Sequence, residues 1–167
     1  MTSSTSSNQT SMYVALYKIG DDRFHCALVV TPAQAKLRNV HVYQITNVDR
    51  TQPNNVGPWR NNHLIIDDLL KSSNFVGCVR LPDTEIPPED VIGFIKEQEP
   101  EQGQTKLPSG AVWDCSQWVL RVLESFQEAT DYNVDIKHLY AKVWILAEQL
   151  KEKHGANATK VHVIDLK

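Results

Sequence analysis

At 167 residues, 41% hydrophobic and 22% charged, the chain has the size and composition of one globular domain able to bury its own core. A net charge of −3 argues against a general nucleic-acid binder, which needs clustered cations to displace counterions. No apolar run reaches the roughly 18–20 residues of a bilayer span, and three cysteines in a chain this long point to a reducing, cytoplasmic compartment rather than a disulfide framework.

Residues 1–11 are almost all Ser, Thr, Asn and Gln and carry no apolar stretch, so they are expected to form a disordered polar tail rather than a signal sequence, with a single catalytic-type domain over residues 12–167. Met12 to Ile19 and Phe24 to Val30 read as two strands of a hairpin about the turn Gly20-Asp21-Asp22. Val40 to Val48 reads as a third strand, and Asp49 to Pro58 as a polar loop. The stretch Trp59 to Leu70 is ambiguous, with a strand at His63 to Ile66 and a short helix at Asp67 to Ser72 as its two signals; Phe75 to Leu81 is a further strand. Pro87-Pro88-Glu89-Asp90 carries proline and acids where a helix begins. After a loop from Pro100 to Gly110, Asp114 to Glu128 and Asp135 to Lys153 have the spacing of amphipathic helices; Gly155 closes the second, and Val161 to Leu166 can add a last strand. Strands first and helices later indicate an α+β fold, an antiparallel sheet packed against helices.

The chemistry concentrates at Trp113-Asp114-Cys115-Ser116-Gln117-Trp118. Counted from Cys115, the apolar residues Trp118, Val119, Val122, Leu123 and Phe126 follow at +3, +4, +7, +8 and +11, so the thiol lies on the inward face of the first helical turn. Asp114 is a natural N-cap. A thiol at a helix N-terminus feels the positive end of the dipole, which favours the thiolate; the alternative is a small buried hydrophobe. A nucleophilic cysteine needs a base, and of six histidines His25 stands inside an apolar strand while His41 opens the next. If those strands pair antiparallel, the two imidazoles can share a face of the sheet over which the Cys115 helix packs. Tyr17 and Tyr43 are candidate pocket donors, and Trp59, with the loop before it, a candidate rim. His63, His138, His154 and His162 read as surface or strand residues, and Cys26 and Cys78 as core.

Asp114-Cys115-Ser116-Gln117-Trp118 resembles the Asp-Cys-Ser-Gly-aromatic signature of the NlpC/P60 cysteine peptidases, and Phe24-His25-Cys26-Ala27-Leu28-Val29-Val30 resembles their histidine strand. Here the histidine precedes the cysteine, the order of the circularly permuted papain-like branch that includes the lecithin-retinol-acyltransferase-like enzymes. In that branch a second histidine follows about a dozen residues after the first, the position of His41. The resemblance spans roughly residues 13–126; Gln117 and Asp114 depart from the motifs of the two branches. It implies a Cys115-His25-His41 triad forming a thioester acyl-enzyme, with Trp113 and Asp114 beside the substrate. The substrate would be a small-molecule, peptide or lipid acyl compound, cleaved or transferred. The other reading is a catalytically silent interaction module that keeps the fold. No metal or cofactor is expected: the cysteines are far apart in sequence, and neither a zinc-binding nor a phosphate-binding motif is present.

Overall fold

The computed structural model describes residues 8–101, 110–154 and 158–167. Residues 1–7 of the expected tail, most of the expected Pro100–Gly110 loop and Gly155 lie outside the described residues.

Order begins earlier than the composition suggests. Strand β1 spans Thr10–Ile19, and Thr10 and Ser11, expected in the tail, are fully buried in it. Their hydroxyls make that burial tolerable: Thr10 Oγ1 donates to the Ile86 carbonyl at 2.6 Å and Ser11 Oγ to Asp83 at 2.9 Å. β1 pairs antiparallel with β2 (Arg23–Pro32) around the Gly20 turn, where φ is +62°.

The expected third strand breaks in two. β3 (Arg38–Tyr43) continues the main sheet, whereas β4 (Ile45–Val48) pairs with β5 (Val56–Asn61) in a separate two-stranded ribbon. The break falls at Gln44, whose amide donates to the His63 side chain and whose carbonyl accepts from Asn62. Both signals in the ambiguous stretch are realised, as β6 (Leu64–Asp68) and a single 3₁₀ turn at Leu69–Lys71. β7 spans Phe75–Arg80, α1 Pro88–Lys96, α2 Cys115–Ala129, α3 Ile136–Lys153 and β8 Val163–Asp165.

The main sheet runs β6-β3-β2-β1-β7-β8. It is mixed rather than antiparallel, because β8 lies parallel to β7. The helices between those two strands supply the long crossover that a parallel pair requires. The fold is therefore α+β. Alternation along β1 and β2 divides the core between two faces. Met12, Val14, Leu16, Phe24, Cys26 and Leu28 meet the buried stripes of the helices, while Tyr13, Ala15, Ala27 and Val29 pack on the other face with Val40, Val42, Leu69 and Phe75.

Candidate active site

Three elements converge on Cys115. The first is the start of α2, where Asp114 caps the helix by accepting from the Gln117 amide at 2.9 Å and the first helical bond runs from the Trp118 amide to the Asp114 carbonyl. Burial of the stripe anchors this turn: Trp118 is 0% and Cys115 8% exposed. The second is β2. β3 pairs with it only from Leu28 to Val30, so its edge at His25–Ala27 is open to the helix terminus. The Cys26 amide and the His25 side chain both adjoin the Cys115 sulfur and lower its pKa. The third is Gln44, at the β3–β4 break, with Oε1 2.6 Å from His25 Nε2.

The Gln44 carboxamide oxygen accepts, so Nε2 carries a hydrogen, and Nδ1 is the ring nitrogen left for the Cys115 proton. Burial, the largest influence on Cys115, pushes its thiol up, but it is outweighed by the His25 hydrogen bond, the imidazolium charge and the Cys26 amide, so the pKa lies below its ordinary 9.0. For His25, burial works against the charged form, and is outweighed by the hydrogen bond and charge of Cys115 and by Gln44; its pKa lies above 6.5. The two shifts point the same way, toward a thiolate–imidazolium pair. The other cysteines are chemically quiet. Burial pushes Cys26 and Cys78 up to about 12.

Of the residues singled out in the sequence, the structure brings together Cys115, His25 and Asp114. His41 is not with them. It pairs with Val30, so alternation places it on the face of Val30 and Leu28, opposite the face of β2 to which His25 belongs. Its ring instead stacks on Tyr43, with centroids 6.3 Å apart and planes within 8°. The position expected of His41 is taken by Gln44. Tyr17, the register partner of His25, has its ring 5.8 Å from the imidazole, and burial pushes its hydroxyl up to about 12. Tyr43 is buried, with no partner for its hydroxyl among the described residues. Trp113 is buried and donates through Nε1 to the Pro100 carbonyl at 2.9 Å, and the Arg121 guanidinium lies 4.7 Å over its ring. Trp59 packs against the helix-side core, its amide bonded to Glu101.

Sequence reasoning missed Gln44 and misjudged His63, which is half-buried rather than a plain surface or strand residue. Its Nδ1 accepts the Gln44 amide at 3.2 Å. A polar residue between Tyr43 and Ile45, interrupting an otherwise continuous strand, was the available signal. No cluster of three His, Cys, Asp or Glu able to hold a metal occurs among the described residues. Comparison with protein-family models, with curated proteins and with solved structures finds no match to this chain.

Proposed function

We propose that this chain is a cysteine-dependent hydrolase or acyltransferase that works through a thioester acyl-enzyme, on a permuted papain-like arrangement of the NlpC/P60 type. The observation that carries the reading is His25, whose ring is hydrogen-bonded to the Gln44 carboxamide and is coupled to the Cys115 thiol, each raising or lowering the other's pKa. A thiol, a base and a group that orients the base are the three parts of a cysteine nucleophile.

In this mechanism His25 Nδ1 takes the Cys115 proton and the sulfur attacks the carbonyl carbon of an amide, isopeptide, ester or thioester. The tetrahedral oxyanion faces the backbone N–H of Cys115, one of the unpaired amides of the first helical turn. Collapse leaves an acyl group on sulfur while the imidazolium returns its proton to the departing amine, alcohol or thiol. Water, or an acceptor, deprotonated by the same imidazole, then releases the acyl group. Gln44 holds the ring in the one tautomer that suits both steps. The substrate class is a small-molecule, peptide or lipid acyl compound. Three free cysteines suit a reducing cytoplasmic setting, and among the described residues no helix is long and apolar enough to cross a membrane.

The test is the rate of iodoacetamide alkylation against pH. Because Cys26 and Cys78 are held protonated, labelling at pH 6 reports Cys115. At pH 6 it is expected to exceed that of an ordinary thiol by about fivefold or more. Cys115→Ala abolishes the labelling, and His25→Ala removes the excess. A wild-type rate equal to that of a free thiol, unaltered by His25→Ala, would sink the proposal.

The low exposure of Cys115 favours a second reading, a catalytically silent interaction module. Under that reading Cys115→Ala retains full function in a cell-based assay; under the first it loses it.

A further inference from the structure

His63 stands at the junction of the two sheets, between β5 and β6, and makes an unusual pair of contacts. Its Nδ1 lies 3.2 Å from the Gln44 backbone nitrogen. A backbone amide only donates, so Nδ1 accepts and the hydrogen of the neutral ring is on Nε2. That Nε2 is buried with no hydrogen-bond partner among the described residues. Around it stand rings: Tyr43 of β3 at 5.0 Å, edge-on, and Trp118 of α2 at 6.0 Å. An apolar side chain would fill this space without leaving a buried donor unpaired, which is normally costly. A histidine makes sense here for its Nδ1.

What that nitrogen holds is the main chain at the one residue where β3 leaves the sheet. The Gln44 amide has no ladder partner at the break, and His63 replaces it while Asn62 supplies the donor to the Gln44 carbonyl. With its main chain pinned on both sides, Gln44 projects its carboxamide to the His25 ring.

We propose that His63 is a positioning residue for the Cys115–His25 pair, fixing through the main chain of Gln44 the carboxamide that orients the base. The inference rests on the reading of Cys115 and His25 given above. Burial, and then the nearby charge of Lys96 on α1, hold His63 below its ordinary pKa, so the neutral accepting form prevails at neutral pH.

The experiment is the pH profile of Cys115 alkylation by iodoacetamide in full-length wild type, His63→Ala, His63→Asn and His25→Ala. An asparagine oxygen falls near the position of Nδ1 and can accept from the same amide, whereas alanine cannot. His63→Ala is expected to lower the rate at pH 6 by about fivefold and move the profile toward that of a free thiol. His63→Asn restores most of both. If His25→Ala abolishes the enhancement while His63→Ala matches wild type, His63 has no such role and the thiol–imidazole pair stands. Equal impairment in the alanine and asparagine variants also overturns the role, since only packing then matters. If His25→Ala itself changes nothing, the underlying reading fails and this one falls with it. Nitrogen-15 NMR of the wild-type protein supplies a measurement that needs no variant: His63 is expected as the Nε2-protonated tautomer at pH 7, and a Nδ1-protonated ring overturns the proposal.

Discussion

One carboxamide, that of Gln44, holds the imidazole that adjoins the Cys115 thiol. His25 has two ring nitrogens, and with Nε2 committed to Gln44 it is Nδ1 that is left for the Cys115 proton. The dependence is mutual: Cys115 raises His25 as His25 lowers Cys115. With a folded pKa above 6.5, the His25 proton contributes stability that is complete below pH 6.5 and is lost as pH rises through the folded-state value. Cys115→Ala removes the main influence that favours the charged ring and leaves the burial that opposes it. The His25 pKa is therefore expected to fall in that variant, and the stability it contributes below pH 6.5 to shrink. A proton NMR titration of the His25 ring in wild type and Cys115→Ala measures the first effect directly; an unchanged pKa would mean that the two side chains are not coupled. Both members of this pair are legible in the sequence, one as a cysteine opening an apolar helical stripe and the other as a histidine within an apolar strand. Gln44 is not, because a glutamine after Tyr43 looks like any solvent-facing strand position until the strand is known to end there.

At the scale of elements, the site is the meeting of a helix N-terminus with an open strand edge. α2 brings the unpaired amides of its first turn, and β2, unpaired by β3 before Leu28, brings the Cys26 amide. Asp114 has opposed effects here. Its carboxylate caps the helix through the Gln117 amide, yet its charge raises the Cys115 pKa. Asp114→Ala is therefore expected to cost about 1 kcal/mol of stability, while Cys115 becomes the more acidic thiol. Chemical denaturation and the alkylation profile read the two effects separately, and a rise in the Cys115 pKa would show that the cap matters more to the thiol than its charge does. The boundaries of α2 and α3 could be read from their caps, since Asp114 and Asp135 both serve as N-caps. The division of Val40 to Val48 between two sheets could not, because β-propensity is continuous across it and the interruption comes from Asn62 and His63, eighteen and nineteen positions later.

For the molecule as a whole, α3 braces the sheet behind the site. It lies against β7 at Gly77, where φ is +149° and a Cβ would stand 2.8 Å from Leu150 Cδ2 and 2.9 Å from the His162 carbonyl. Gly77→Ala thus combines backbone strain with a clash against both α3 and the segment leading into β8. It is expected to destabilise the fold by about 1–3 kcal/mol, seen as a lower Tm, with the alkylation profile of the surviving folded protein unchanged because Cys115 stands on another helix. A wild-type Tm would show that the α3–β7 contact yields at little cost. The helix-side core ties the two regions together, since Leu150 and Trp118 belong to the same buried cluster.

By itself the sequence determined the local features: where helices begin, which stripe of α2 is buried, and that the fold is α+β. These follow from short-range rules of period and capping, which act within a few residues. The tertiary structure alone decided the partner of His25, the parallel placement of β8 and the burial of Thr10 and Ser11. The first depends on register. With Val30 opposite His41, alternation puts the second histidine on the face opposite that of His25, and a shift of a single residue would have reversed that outcome. Pairing between strands is a long-range choice, and only after it is made does Gln44, held by His63, stand where His25 can use it.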